Sequence, residues 1–370
     1  MALQRREFLK GGLALSAAAL LPPPPASAND AALVFKPEAG SWRNFEVTTR
    51  IDLATPEGAA QAWIPLPSVT ASDWILPHGD NWKVSSGRAT AVQVGSYGTR
   101  LLHVEWNKDD AAPAVQIVSR VSTRDRAVDF GKTGTPAPLN AADRALFLSP
   151  TKLIPTDGIV KQTADGIVAG AKTDDEKARQ IYEWVVTNTF RDPKVQGCGA
   201  GDISSMLRTG NLGGKCADLN ALYVGLARAS GIPARDLYGI RVAPSRFGYK
   251  SLGANSATIT KSQHCRAEVY LANWGWVPVD PADVRKVVLE EPPGNLAQND
   301  PKVEAAHRTL FGAWETNWIA YNQGHDVPLP GSNHPPIGFL MYPQAEVAGE
   351  MKSCLSPDTF KYGITCQETA

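Results

Sequence analysis

The sequence predicts an α+β protein: an all-β, sandwich-like domain over residues 40–128, then a mixed core over residues 140–290 in which helices come first and strands follow. Three observations carry this. Between Arg43 and Arg124, short runs of β-favouring residues are punctuated by Pro, Gly, Asn and Asp, the spacing of a sandwich or open barrel. After about Leu139 the apolar period lengthens from two to that of a helix. Strands return from Asp236 without the alternation of βαβ units, which separates α+β from α/β.

The chain opens with Arg5-Arg6-Glu7-Phe8-Leu9-Lys10, an apolar run from Gly11 to Leu21, and Ala26-Ser27-Ala28. A basic n-region, a short h-region and an A-x-A site are the parts of a signal peptide, here residues 1–28. The apolar run rises only about 16 Å as a helix, too little to cross a bilayer. Arg-Arg-x-Phe-Leu-Lys resembles a twin-arginine signal, an address read by bacterial export machinery. Cleavage after Ala28 takes three basic side chains and one acidic one, leaving a net charge of −2. No other stretch approaches the length of a membrane-spanning helix. A periplasmic or otherwise exported protein with no transmembrane anchor after cleavage is expected.

In the β region, Phe45, Val47, Thr49 and Ile51 alternate with Glu46, Thr48 and Arg50, so one face is apolar. Further runs at residues 60–66, 82–85, 90–94, 101–106 and 115–123 predict six strands in all. In the core, Thr173-Asp174-Asp175-Glu176 reads as a capping box, with Ala178, Ile181, Trp184 and Val185 on one helical face. A Gly-rich loop spans residues 197–214. A second helix is predicted over residues 217–229, with Leu219, Leu222, Tyr223 and Leu226 on its apolar stripe, stopped by Gly231-Ile232-Pro233. Strands follow at residues 236–242, 267–271 and 276–279. The segment 300–370 carries Phe311, Trp314, Trp318, Tyr321, Phe339 and Tyr342. Rings this large and numerous predict an extension packed on the core, helping to wall a cleft.

Composition removes several function classes. The 37 Lys and Arg balance 37 Asp and Glu in 370 residues, and 43% of the chain is hydrophobic. That excludes a basic nucleic-acid footprint and an acidic disordered chain. The five cysteines lack CxxC spacing, so a structural zinc site is not expected. His78, His103, His307, His325 and His334 are scattered, with no HExxH, and no GxxxxGK[ST] loop occurs. No metal, nucleotide or other cofactor is expected.

The chemistry gathers at three positions. Cys216 follows Gly213-Gly214-Lys215 and opens the second helix, where unpaired amides and the helix dipole favour a thiolate and offer donors to an oxyanion. Lys215 adds to that field, while Asp218 in the first turn opposes it. His264 opens one strand of a hairpin and Asp280 closes the other. With an odd-length loop around Asn273-Trp274-Gly275 the two share a face, directly or diagonally opposed. A carboxylate there fixes the imidazole and stabilises its charged form. A two-residue loop would instead align His264 with Asp283, the rival orienter.

These segments carry a resemblance. Gly214-Lys215-Cys216-Ala217-Asp218-Leu219-Asn220-Ala221-Leu222, running on through Gly231-Ile232-Pro233-Ala234-Arg235, resembles the nucleophile segment of the transglutaminase-like superfamily. Residues 264–270 and Gly275-Trp276-Val277-Pro278-Val279-Asp280-Pro281 are similar to its histidine and aspartate segments, in the same order. The likeness covers about residues 140–285. Ala62-Trp63-Ile64-Pro65-Leu66-Pro67 also resembles the strand that opens the β-domain often preceding this core in bacterial members. The resemblance implies a papain-like cysteine-enzyme core, with Cys216 as nucleophile, His264 as general base and acid, and Asp280 as orienter. It departs from the family at Arg266, where an aromatic residue is common, a change expected on the cleft wall. Gln196 is a candidate oxyanion donor by its place before the nucleophile. Arg228, Arg235 and Arg241 are expected to be solvated or capping, and Trp274 and Trp276 to pack in the turn or core.

The function implied is thiol-dependent acyl transfer on the amide bonds of a peptide or protein substrate in the cell envelope. Water as acceptor makes a peptidase or amidase, and an amine makes a transglutaminase. The alternative is a non-catalytic envelope scaffold, whose expected signature is loss of one of the three residues. The oligomeric state is not legible. In an oxidising compartment, Cys354–Cys366 and Cys198–Cys265 are the expected disulfides, leaving Cys216 as the free thiol.

Overall fold

The alternating pattern of the first hundred mature residues becomes strands in the computed structural model: β1 (Arg43–Asp52), β2 (Ala60–Pro65), β3 (Ile75–Val84), β4 (Arg88–Val94), β5 (Thr99–Trp106) and β6 (Ala114–Thr123). The structure describes residues 34–53, 58–110, 112–356 and 360–370, and the signal peptide expected at residues 1–28 lies outside them. β3 begins at Ile75 rather than Trp82, with a register shift between Pro77 and Gly79. Pro77, Gly79 and Asn81 read as turn residues, which is why the first half of this bulged strand is hidden in the sequence.

A short strand β7 (Arg126–Ala127) leads to α1 (Ala141–Leu146), α2 (Gly158–Ile167) and α3 (Asp174–Asn188). At α3 the Thr173 hydroxyl accepts the Glu176 N–H at 3.3 Å, while the Glu176 carboxylate reaches back to the Lys172 N–H at 2.5 Å. Then come β8 (Phe190–Arg191), α4 (Ile203–Thr209), β9 (Gly213–Gly214) and α5 (Cys216–Ala229). Every residue of α5 is buried. The apolar stripe in its sequence suggests one covered face, but α2, α3 and α6 (Pro281–Glu290) pack against it as well as the sheet. Its small residues Ala217, Ala221, Gly225 and Ala227 permit that enclosure.

The core sheet is built from β10 (Ala234–Arg241), β11 (Gln263–Leu271) and β12 (Gly275–Val279). After α6 and α7 (Pro301–Thr309) the chain forms β13 (Ala313–Trp314), β14 (Trp318–Asn322), β15 (Gln344–Val347), β16 (Glu350–Lys352) and β17 (Lys361–Thr369). The core sheet has the order β12–β11–β10–β14. Two further antiparallel sheets, β17–β1–β6–β3 and β16–β15–β2–β5–β4, face each other. Ile51 and Ile117 from one, and Ala62, Ile64 and Val104 from the other, share one buried core, as in a sandwich. The aromatic segment is thus woven into both layers: β14 extends the core sheet, while β15 and β17 complete the sandwich.

All five cysteines are free thiols, so neither expected disulfide is formed. Cys366 lies opposite Val47 on β17, whereas Cys354 is held at the other end of that strand by the Tyr362 hydroxyl, at 3.0 Å. Cys198 and Cys265 are likewise both free, and the Cys198 thiol donates to the Gln263 carbonyl at 3.3 Å.

Candidate active site

The start of α5 is shaped by Asp218. Its carboxylate accepts the Lys215 N–H at 2.9 Å, closing the helix end, and the N–H groups of Ala200 and Gly201 at 3.0 and 2.9 Å. A carboxylate spent on three backbone donors clasps the Gly-rich loop to the helix, a role the sequence does not disclose. Gly199 makes the clasp possible: its φ is +91°, and a Cβ there would lie 1.8 Å from the Asp218 carboxylate. Cys216 sits at the first helical position, where its N–H has no intrahelical partner.

His264 and Asp280 meet through the hairpin. The loop is odd, Leu271 pairs with Gly275, and Gly275 takes the left-handed conformation at φ +74°. Continued outward, this register sets Asp280 opposite Arg266 and diagonal to His264. The imidazole Nε2 lies 2.8 Å from Asp280 Oδ2 and 3.5 Å from Asp283 Oδ2. Asp283 is instead taken by Arg241, whose guanidinium donates to both its oxygens at 2.6 and 2.8 Å. Asp280 also caps α6, accepting the Asp283 N–H at 3.1 Å, so one carboxylate ends a strand, starts a helix and holds the imidazole. With Nε2 so engaged, Nδ1 is the nitrogen left for the Cys216 thiol, whose pKa the imidazole lowers.

Charge at the site follows from these contacts. The neighbouring Cys198 and Cys265 side chains, and then the His264 imidazole, hold Cys216 well below the ordinary thiol range despite its burial. The cost falls on the neighbours: Cys198 is pushed well up by its bond to Cys216 and by burial, and Cys265 by burial and the same sulfur. Burial and Arg241 would lower His264, but the carboxylates of Asp283 and Asp280 outweigh them and raise it. Burial, then Asp283, raises Asp280. Asp283 moves the other way, since Arg241 overcomes its burial. Together these favour a thiolate–imidazolium pair.

A cavity of about 810 Å³ opens onto the pair, lined by Cys216 and His264 together with Gln196, Gln263 and Tyr342. Gln263 Nε2 is buried and has no hydrogen-bond partner among the described residues. Asp280 is fully buried behind the imidazole. His264, Asp280 and Asp283 offer ligand atoms within 4.8 Å of one another, but a cation there would have to displace the Arg241 and His264 contacts that already satisfy the carboxylates.

Several expectations are corrected. Arg266 is not on the cleft wall: it is buried behind Asp280, its Nε 3.5 Å from Oδ2, between the rings of Trp314 and Trp318. Arg241 and Arg228 are buried rather than solvated. Arg228 donates to the carbonyls of Ala234 and Ser149, and Arg235 stacks on Trp276 at 4.0 Å. Two supporting residues escaped the sequence. Asn220, one turn into α5, donates to the Cys265 carbonyl at 2.8 Å and to Asp280 at 3.2 Å, joining helix, histidine strand and aspartate. Trp318 donates to the His264 carbonyl at 2.8 Å. It lies against Gly239, opposite His264, where a Cβ would meet its ring at 2.6 Å. The helical spacing 216/220 offered a signal for Asn220, and nothing local offered one for Trp318.

Residues 161–281 match the transglutaminase-like superfamily, and residues 2–22 match the signal sequence of the twin-arginine translocation pathway. The chain belongs to the transglutaminase-like superfamily, a group of thiol-dependent acyl-transfer folds, and it is exported across the membrane. More particularly, it is 37% identical over 335 residues to an uncharacterized protein of Haemophilus influenzae, covering 86% of this chain and 89% of that one. In fold it is similar to a candidate cysteine protease from Cytophaga hutchinsonii, with a TM-score of 0.50, 15% identity and coverage of 89% and 99% of the two chains. Among the described residues no helix is long and apolar enough to cross a membrane.

Proposed function

We propose that this protein is a thiol-dependent acyl-transfer enzyme acting on amide bonds of peptides in the cell envelope, with Cys216, His264 and Asp280 as its catalytic residues. The observation that carries it is the Asp280–His264 contact at 2.8 Å, which leaves the second imidazole nitrogen to the Cys216 sulfur at the wall of an open cavity.

In the proposed reaction the Cys216 thiolate adds to the amide carbonyl, and the tetrahedral oxyanion accepts the Cys216 N–H and a glutamine amide. Gln263 is favoured over Gln196, because its buried, unpartnered Nε2 lacks any other purpose. The imidazolium gives its proton to the leaving nitrogen as the C–N bond breaks, producing an amine and a thioester on Cys216. An incoming water or amine then adds to the thioester, His264 taking its proton, and the thiolate leaves. Asp280 holds the imidazole throughout, and Asn220 and Trp318 hold the backbone around it. We further propose that residues 40–128 are a supporting β-domain and that catalysis resides in residues 140–290.

The test is amide cleavage by the mature protein with and without a competing primary amine, which reads the partition between the two acceptors. Full turnover by Cys216→Ser would overturn the mechanism. No cleavage, together with a Cys216 that alkylates only above about pH 8.5, as an ordinary thiol does, would instead favour a non-catalytic scaffold.

A further inference from the structure

We infer that the substrate of this site is acidic: a peptide carrying carboxylates close to the amide that reacts. The inference rests on the acyl-transfer proposal in taking the cavity beside Cys216 as the substrate cleft, and it adds what that cleft selects.

The observation is a charge asymmetry. The chain as a whole carries equal numbers of acidic and basic residues. Yet Arg191, Lys194, Lys215, Arg241, Lys261 and Lys286 all line the cavity, and among the described residues no Asp or Glu does. Part of this charge is already answered. Arg241 is paired with buried Asp283, and Arg191 and Lys286 share Glu290. Lys194, Lys215 and Lys261 have no anionic partner among the described residues, and Lys194 and Lys261 are exposed at the cavity. The thiolate–imidazolium pair adds no net charge.

The three unpaired lysines sit on the chain segments that carry Cys216 and His264. Lys194 stands in the loop before the nucleophile, Lys215 is its immediate neighbour, and Lys261 precedes His264 by three residues. Loop and strand are pinned together by the Cys198 thiol, which donates to the Gln263 carbonyl at 3.3 Å. A concave, low-dielectric wall of one sign focuses its field and concentrates ligands of the other. With no anion of the described residues beside them, Lys194 and Lys261 leave their charge open to a ligand in the cavity. A lysine ammonium is a point charge on a flexible stem, able to follow carboxylates presented at varied positions along a chain.

Two readouts test this without requiring turnover. The first is the rate of Cys216 alkylation by anionic iodoacetate relative to neutral iodoacetamide, normalised to glutathione. The expected ratio is at least about tenfold above the reference at low salt, and it falls towards the reference in Lys194→Glu/Lys261→Glu and at about 0.5 M salt. The second is binding of a rhodamine-labelled peptide with two Glu residues flanking a Gly-Ala amide, against its Gln twin, to Cys216→Ser protein. The Glu peptide is expected to bind at least about tenfold more tightly, with the preference lost in the double variant. A ratio at or below the glutathione reference, or equal binding of the two peptides, overturns the inference. Because neither readout involves cleavage, a failed cleavage assay overturns the acyl-transfer proposal while leaving these results to decide the selectivity.

Discussion

At the scale of the residue, the reactivity of Cys216 comes from what donates to its sulfur. The folded thiol is held below its unfolded value of about 8.5, so its stabilising contribution is present above that pH and lost as pH falls through the lowered value. His264 is raised above about 6.5, so its contribution is present below that pH and lost as pH rises through the raised value. The charged pair therefore exists between the two folded values. Iodoacetamide labelling of Cys216 is expected to show its inflection well below pH 8.5, and to move up in both Cys198→Ala and His264→Gln; an unmoved inflection in both would show that neither group holds the thiolate. Asn220→Ala is expected to strip Asp280 and the Cys265 carbonyl of a buried donor, costing about 1–3 kcal/mol in urea denaturation. The same variant should lose more in kcat than in KM, since Asn220 touches the orienting carboxylate and not the cavity.

At the scale of the element, the site depends on where a loop meets a helix and where a hairpin meets a helix. The Gly-rich loop is fixed to α5 by Asp218 and by the Ala217 N–H, which donates to the Cys198 carbonyl at 2.9 Å, and Gly199 supplies the space. Gly199→Ala combines a left-handed backbone with a Cβ 1.8 Å from that carboxylate, and is expected to destabilise by about 1–3 kcal/mol from backbone strain alone. Activity should fall further, because the same loop carries Cys198, and thermal melts alongside turnover would separate the two losses. The hairpin was readable from the sequence because side-chain parity in a strand is strict: once the loop is odd, residues 264 and 280 share a face. That parity already favours Asp280 over Asp283, but the contact that enforces the choice was not readable. It is made by Arg241, which comes from another strand and removes Asp283 from competition.

At the scale of the whole molecule, the last strand joins the first. β17 pairs with β1 from Asn44↔Thr369 to Asp52↔Lys361, and the Ile259 N–H donates to the Ile364 carbonyl at 2.8 Å. Tyr362 and Phe360 reach the cavity wall. Ending the chain at Ser356 removes β17 and leaves β1 with an open edge. The truncated protein is expected to be insoluble or to melt at least about 5 °C lower, and its residual activity to fall with the lost cavity wall; an unchanged melting temperature would show that β17 is dispensable.

What the sequence determined by itself is what depends on neighbours along the chain: the export signal, strands β1 to β6, the capped helix at Thr173, the helix start that places Cys216, and the parity that joins His264 to Asp280. Tertiary structure decided the rest, because partners distant in sequence settle it. It buried α5 on every side, turned Asp218 away from the thiol and onto a loop, and set Arg266 behind the aspartate between two rings from the far end of the chain. It also gave the Cys198 thiol to the Gln263 carbonyl rather than to a disulfide with Cys265. Local periodicity records which face of a strand or helix is apolar; it does not record which distant hydrogen bond satisfies a buried charge.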